Sequence, residues 1–412
     1  MFEPPEPFCL DDDEKPDMPE SVKRQNRFVA YIATFLVTFT LGTTEIFAPW
    51  YVGELGGSGF EMGWAMGSFG IVYMISPALG GRFSDRIGRR KALMIATAAY
   101  IVVLVLFLNP FSSPVYLITI RALEGFVYGF IAPSNQAMLA ELTPEAECEV
   151  LGNFSTAWSA GMILSPFVIA FMDSNYGPIS SIYVVIAIEF IMLGIIGGFL
   201  QGYRRRRTVI EDTPESQVSI SDGTPSKTSP RFIASYLSIM LWGVISTVIL
   251  ALFPAYVETL PGLSTPDWGN MLLVWNGIRT VAFIITARIP EQSMSSVILL
   301  GAVLSAISSG VLFFFIDFWM LTIAMMISGI AVGFSYLGAL YLIVSATKIE
   351  KGAYAGLVES MGGVGLFLGP IVGGWLDDFG GALPYLMCLA LSIIVLAGII
   401  PLLLKEKRNN RV

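Results

Sequence analysis

Twelve stretches of this chain are each long and apolar enough to cross a lipid bilayer, and no other feature limits its fold so tightly. A crossing helix needs about 20 mostly apolar residues. Such segments lie near 28–52, 61–80, 91–109, 114–138, 150–172, 180–202, 232–256, 268–288, 295–316, 319–342, 353–376 and 383–404. Barrel strands would be about ten residues long with alternating polarity, which these runs lack. Lipid offers the backbone no hydrogen-bond partners, so each run is expected to be a helix. The composition agrees, with 54% hydrophobic and 14% charged residues.

Charge orients the chain. With the N-terminus inside, 22 of the 24 Lys and Arg residues fall in the tails and inner links, and the other two, Arg121 and Arg279, lie within spans. That is a strong positive-inside pattern, so a multi-pass cell-membrane protein with both termini cytoplasmic is expected. Residues 1–27 are acidic and Pro-rich and read as a disordered tail, and 405–412 as a second cytoplasmic tail. There is no histidine, and Cys9, Cys148 and Cys388 suggest neither a disulfide nor a metal site. No nucleotide-binding loop is present. The expected partners are the bilayer and a small-molecule substrate. No cofactor, metal, nucleic acid or enzymatic activity is expected, and the chain is read as a monomer. Any proton carriers must be carboxylates.

The chain also repeats at an offset of 204. Gly125, Gly129, Phe130, Thr143, Gly152, Gly161, Pro166, Asp173 and Gly177 map without gaps to Gly329, Gly333, Phe334, Thr347, Gly356, Gly365, Pro370, Asp377 and Gly381. The expected fold is an all-α membrane protein of twelve transmembrane helices in two pseudo-symmetric six-helix bundles. The bundles would be residues 28–203 and 232–404, joined by a hydrophilic linker at 204–231. Two such halves around one central cavity suit a transporter that exposes a midplane site to each side in turn.

Between spans 2 and 3 the chain reads "GGRFSDRIGRRKA". Gly81-x-x-x-Asp85-Arg86-x-Gly88-Arg89-Arg90 at that position resembles the signature of the major facilitator superfamily. "RALEG" in span 4 is similar to the family's second motif and places Arg121, Glu124 and Gly125. The resemblance covers roughly 28–404 and is nearest in character to the twelve-span drug/proton antiporters. It implies that Asp85 meets the N-terminus of span 11, where a helix dipole favours negative charge. It also implies that Arg86, Arg89 and Arg90 pair with inner-loop acids such as Glu141, Glu145 and Glu147. Together these would form a latch made only when the inner side is closed. The plainer reading of the cluster is an orientation anchor. In span 5, Gly161-x-x-x-Ser165-Pro166 resembles a degraded form of an antiporter motif, and its twin in span 11 is Gly365-x-x-x-Gly369-Pro370. Close packing of span 5 on span 8, and of span 11 on span 2, would seal the cavity.

A charge at mid-helix costs about 2.5–3.5 kcal/mol unless it finds a partner or water. Arg121 and Glu124, three apart, share a helix face and can pair. The family places the span-4 Arg at the cavity and links it to proton transfer. Glu45 is the one ionisable group inside span 1. These three are the proton-coupling candidates, against static-pair and hydrated-surface alternatives. Arg279 is a candidate for an anionic substrate or a structural carboxylate partner. Asn276, Trp275, Tyr73, Trp158, Trp242 and Tyr336 join it as candidate cavity residues. Glu359 is an inner-gate candidate, and Glu189 in span 6 reads as structural. The favoured function is proton-coupled efflux of small organic or drug-like compounds. The alternatives are proton- or sodium-coupled uptake of a nutrient or organic anion, and a non-transporting receptor or scaffold.

Overall fold

A computed structural model of the protein describes residues 18–109, 113–142, 147–202, 229–345 and 351–409. Most of the expected linker at 204–231, most of the expected N-terminal tail, and Glu145 lie outside the described residues. So do the side chains of Glu147 and Glu359.

Thirteen helices are present among the described residues, and no strand. The first half contains α1 (Glu20–Glu54), α2 (Gly59–Tyr73), α3 (Ser76–Ile87), α4 (Arg89–Leu106), α5 (Pro114–Leu142), α6 (Glu147–Tyr176) and α7 (Ser180–Phe199). The second contains α8 (Pro230–Glu258), α9 (Thr265–Thr286), α10 (Met294–Phe314), α11 (Phe318–Ser345), α12 (Lys351–Asp377) and α13 (Leu383–Asn409). Twelve spans become thirteen helices because the second span breaks at Met74 and Ile75. Pro77 has no N–H to offer the Tyr73 carbonyl, so the helical ladder stops there. The Ser76 hydroxyl pins the break to α5 by donating to the Gly125 carbonyl at 2.9 Å.

Eight of the helices are long and apolar enough to span a membrane on those grounds alone. The other spans are the split pair α2/α3, the basic-ended α4, the polar α9 and the glycine-rich α12. In α9 the polar groups Arg279 and Asn276 face protein, and both are buried.

The N-terminal tail is shorter than expected. The first helix starts at Glu20, so residues 20–27 are helical. Arg27 pairs with Glu20 at 3.1 Å. Asn26 and Gln201 also exchange hydrogen bonds of 2.9 and 3.0 Å, tying this extension to the end of α7. At the other terminus α13 runs to Asn409, into the expected second tail.

The repeat is visible as packing. Gly125 lets α5 press against the Phe69 carbonyl of α2, and its twin Gly329 lets α11 press against the Trp275 carbonyl of α9. Gly161 sets α6 on Phe35 and Phe39 of α1, and its twin Gly365 sets α12 on Met240 and Val244 of α8. Paired glycines thus do the same work on equivalent helices. The expected packing of span 5 on span 8 and of span 11 on span 2 is present, but the motif glycines are not what makes it. Gly161, Gly365 and Gly369 pack within their own halves, on spans 1 and 7. Contact between halves comes from their neighbours. The Pro166 carbonyl and Ala170 meet Gly269 of α9, while Pro370 and Gly374 meet Gly63 and Gly59 of α2.

Among the described residues, substantial packing between the halves is confined to α2–α12, α6–α9, α1–α8 and α2–α8. These contacts crowd toward the end opposite the termini. There Gly59 and Phe60 donate backbone hydrogen bonds to the Asp378 carboxylate at 2.6 and 3.3 Å, so an acid of one half caps a helix of the other. The Trp50 indole of α1 donates to Glu258 of α8 at 2.9 Å. Glu258 also accepts from Trp268 at 2.8 Å and Thr265 at 2.7 Å. Toward the termini the cross-contacts reach Met74 beside Gly363. Beyond that point, among the described residues, α3 packs on α4 and α5. The end opposite the termini is therefore closed.

Candidate functional site

The deepest polar group lies inside the first half. Arg121 and Glu124 of α5 are both fully buried, and their ion pair is 2.5 Å long. Three residues along one helix put both side chains on one face. Neighbouring helices complete the cluster. Glu124 accepts from the Thr44 hydroxyl of α1 at 2.5 Å and from the Tyr100 hydroxyl of α4 at 2.7 Å. Arg121 donates to the Ala65 carbonyl of α2 at 3.3 Å and to Thr44 at 3.3 Å, and its guanidinium lies 4.7 Å from the Phe69 ring centroid. One nitrogen, Nη2, has no partner. Tyr73 stacks on Phe69 and packs against Tyr128. Thr44 and Tyr100, which sequence reasoning did not single out, look unremarkable in apolar runs and matter only because α1 and α4 meet α5 here.

A second cationic group sits on the other half. Arg279 of α9 is buried between two indoles, 4.7 Å from Trp275 of its own helix and 5.6 Å from Trp158 of α6. Its Nε has no hydrogen bond. Trp158 belongs to the first half, so this contact joins the halves. Trp275 donates to Ser328 of α11 at 3.1 Å, which fixes its ring. Asn276 is buried, its amide donates to Leu272 at 3.2 Å, and its own carbonyl oxygen is unpartnered. One turn beyond Arg279, Phe283 packs on Tyr336, which stacks 4.5 Å from Trp242. The Trp242 indole nitrogen is unpartnered. Open polar atoms thus sit beside aromatic faces along this wall.

Glu45 lies between the two groups. Its carboxylate is within electrostatic reach of Arg121 and Glu124 on one side and Arg279 on the other. One acid of α1 therefore lies within reach of arginines of opposite halves, with no ion pair to either among the described residues. Replacing Arg279 with lysine keeps the charge but loses the flat cation. A loss of about 0.5–2 kcal/mol of cation–π attraction is expected, with a shift in tryptophan emission from Trp158 and Trp275. Unchanged emission would show that the guanidinium does not hold those rings.

The charged link near the termini is partly engaged. Gly88 turns the chain between α3 and α4 at φ 91°, where an L side chain would be strained. Arg89 pairs with Glu141 at 2.6 Å and with Asp85 at 2.7 Å, and it donates to the Ser84 hydroxyl. Arg90 donates to the Gly197 carbonyl of α7 at 2.6 Å. These bonds lie within the first half. Asp85 is 54% exposed, and nothing lies within 4 Å of where a Cβ on Gly81 would stand. That face of α3 is uncovered. Glu258 and Asp378 were missed, because in sequence they are ordinary acids beside loops.

The model of the Major Facilitator Superfamily matches residues 30–292 and 294–412. Quinolone resistance protein NorA of Staphylococcus aureus (strain COL) is 24% identical over 399 residues, covering 93% of this chain and 97% of that protein. Multidrug resistance protein MdtG of Salmonella typhimurium is 24% identical over 272 residues, or 64% of each. Among solved structures, the nucleoside transporter NupG aligns over 93% of this chain and 99% of its own, with a TM-score of 0.73 at 14% identity. The family match spans both halves, the neighbours share the fold, and the chain belongs to the major facilitator superfamily of membrane transporters.

Proposed function

We propose that the protein exports small organic, drug-like compounds across the cell membrane in exchange for protons, with both termini in the cytoplasm. The observation that carries this reading is the buried Arg121–Glu124 pair facing Glu45, which in turn reaches Arg279 of the other half. A proton on Glu124 cancels the charge that holds Arg121. The freed guanidinium then attracts Glu45 more strongly, and Glu45 loosens from Arg279. Proton binding in one half is thereby felt at the contact between halves. One proton moving down 100 mV supplies about 2.3 kcal/mol. The wall of Trp158, Trp242, Trp275 and Tyr336 suits a flat or amphipathic substrate, and a cationic one gains from the ring faces. The names of NorA and MdtG, which refer to quinolone and multidrug resistance, support export of compounds of that kind.

In this reading the structure rests with the cytoplasmic side open, and Asp85 and the bare face at Gly81 await α12. A second reading, uptake of an organic anion, draws on Arg279, whose Nε is unpartnered.

Transport into inverted vesicles separates the readings. Glu45→Gln, Glu124→Gln and the double variant are each expected to cut pH-driven uptake by at least about tenfold. Undiminished uptake in all three would sink the proton role. Anion uptake lost specifically in Arg279→Gln would favour the second reading.

A further inference from the structure

Glu189 is the lone acidic or basic residue of α7, whose sequence SSIYVVIAIEFIMLGIIGGF is otherwise apolar or hydroxylic. A helix of that kind could cross the membrane with its charge on any side, yet this carboxyl is fully buried. Neither of its oxygens has a hydrogen-bond partner of good geometry, and the Thr40 hydroxyl is the one donor beside it. The contrast with Glu124 is large, since that acid accepts from Arg121, Thr44 and Tyr100. An ionised carboxylate without a counter-charge in such surroundings costs several kcal/mol, whereas the neutral acid costs far less.

The groups around Glu189 come from three helices. α1 presents the Thr40 hydroxyl, which donates to the Leu36 carbonyl at 3.2 Å. The α4 helix presents Tyr100, and α5 presents Glu124 and Tyr128. Among the described residues no charged group of α6 is recorded facing it. Tyr100 is the link that matters. Its hydroxyl donates to Glu124 at 2.7 Å, and the same ring lies within electrostatic reach of Glu189. The Tyr100 side chain thus lies between the acid of α7 and the paired acid of α5.

We propose that Glu189 is a second proton-binding site, which holds a proton behind the Arg121–Glu124 pair and exchanges it with Glu124 through the Tyr100 hydroxyl. When Glu124 gives up its proton, Tyr100 accepts it on oxygen and releases its own hydrogen toward Glu189. Glu124 becomes the anion that Arg121 holds, and Glu189 becomes the neutral acid. One proton has moved and nothing else has changed. Arg121 supplies a counter-charge beside Glu124, and no counter-charge stands beside Glu189. This arrangement keeps a proton inside the first half while Glu124 is exposed to exchange. The proposal rests on the proton-coupled reading above for its use, but not for the existence of the site.

Infrared spectroscopy of the full chain in lipid tests the site directly. A protonated-carboxyl C=O band is expected at neutral pH, lost in Glu189→Gln and shifted in Tyr100→Phe, which removes the facing hydroxyl. Glu189→Gln is also expected to lower pH-driven turnover about tenfold and to displace its pH profile, while thermal stability holds. A structural role alone would move stability without moving the turnover or the profile. A band that survives Glu189→Gln overturns the site. A band that is lost while turnover and pH profile stay unchanged overturns the exchange with Glu124. Failure of the export reading would show separately, as undiminished transport in Glu45→Gln and Glu124→Gln with the Glu189 band still present.

Discussion

Replacing Arg121 with methionine is expected to destabilise the protein by about 3–5 kcal/mol, because it strands a buried carboxylate. Arg121 and Glu124 are both fully buried, and the guanidinium supplies the counter-charge to Glu124. The Thr44 and Tyr100 hydroxyls would remain as donors, but two neutral hydrogen bonds do not replace an ion pair in apolar surroundings. Unfolding in detergent, followed by intrinsic fluorescence, measures the loss. Adding Glu124→Gln to the same chain removes the stranded charge and is expected to restore most of the stability, as replacing a whole buried pair is often neutral. Transport should not return with it. Stability restored together with pH-driven transport would make the pair a static brace, and the proton would then have to travel elsewhere. Glu124→Gln alone is the informative single variant. It leaves a buried arginine with its Ala65 and Thr44 bonds but no carboxylate, so a smaller loss than in Arg121→Met is expected.

How much of this was legible in the sequence follows from how far apart the interacting residues lie. The twelve spans could be read because lipid leaves the backbone no alternative to the helix. The pairing of Arg121 with Glu124 could be read because three residues along a helix settle it. The break in span 2 had its signal in Pro77, but apolarity continues across it and hides the interruption. The sealing helix pairs were legible, but which of their small residues make the contact was not, for a geometric reason. A helix with small residues on two faces packs on two partners, and spacing alone does not say which face meets which. Gly365 and Gly374 of α12 illustrate this, the first touching α8 and the second α2. Glu258 and Asp378 were invisible as a seal because their partners, Trp50 and Gly59, lie 208 and 319 residues away. Residues 20–27 joined a helix because Asn26 finds Gln201, another contact with no local trace.

A leucine at Gly63 is expected to hold open the end of the molecule opposite the termini. A Cβ there would stand 2.1 Å from the Pro370 carbonyl oxygen, and one on Gly374 would stand 2.0 Å from the Gly59 carbonyl oxygen. Both obstacles are backbone, so no side-chain rotation relieves them. Overpacking of this kind costs about 1–3 kcal/mol, which moves a two-state equilibrium by about 5–150-fold. The cost falls only on the state in which α2 and α12 touch. Gly81 supplies the opposite case. Nothing occupies the space beside it now, so a leucine there should fold normally and penalise only a state in which another helix approaches α3. Spin labels at Tyr176 and Phe379, exposed residues near that end and on opposite halves, report both effects in a background without native cysteines. Gly63→Leu should lengthen the label distance and abolish the Gly59–Asp378 cap, and Gly81→Leu should leave that distance in its short population. Transport should fall in both, since a cycle stalls wherever one of its states is too costly. If the two substitutions leave the distance distribution alike, the α2–α12 contact is fixed packing and the halves separate somewhere else.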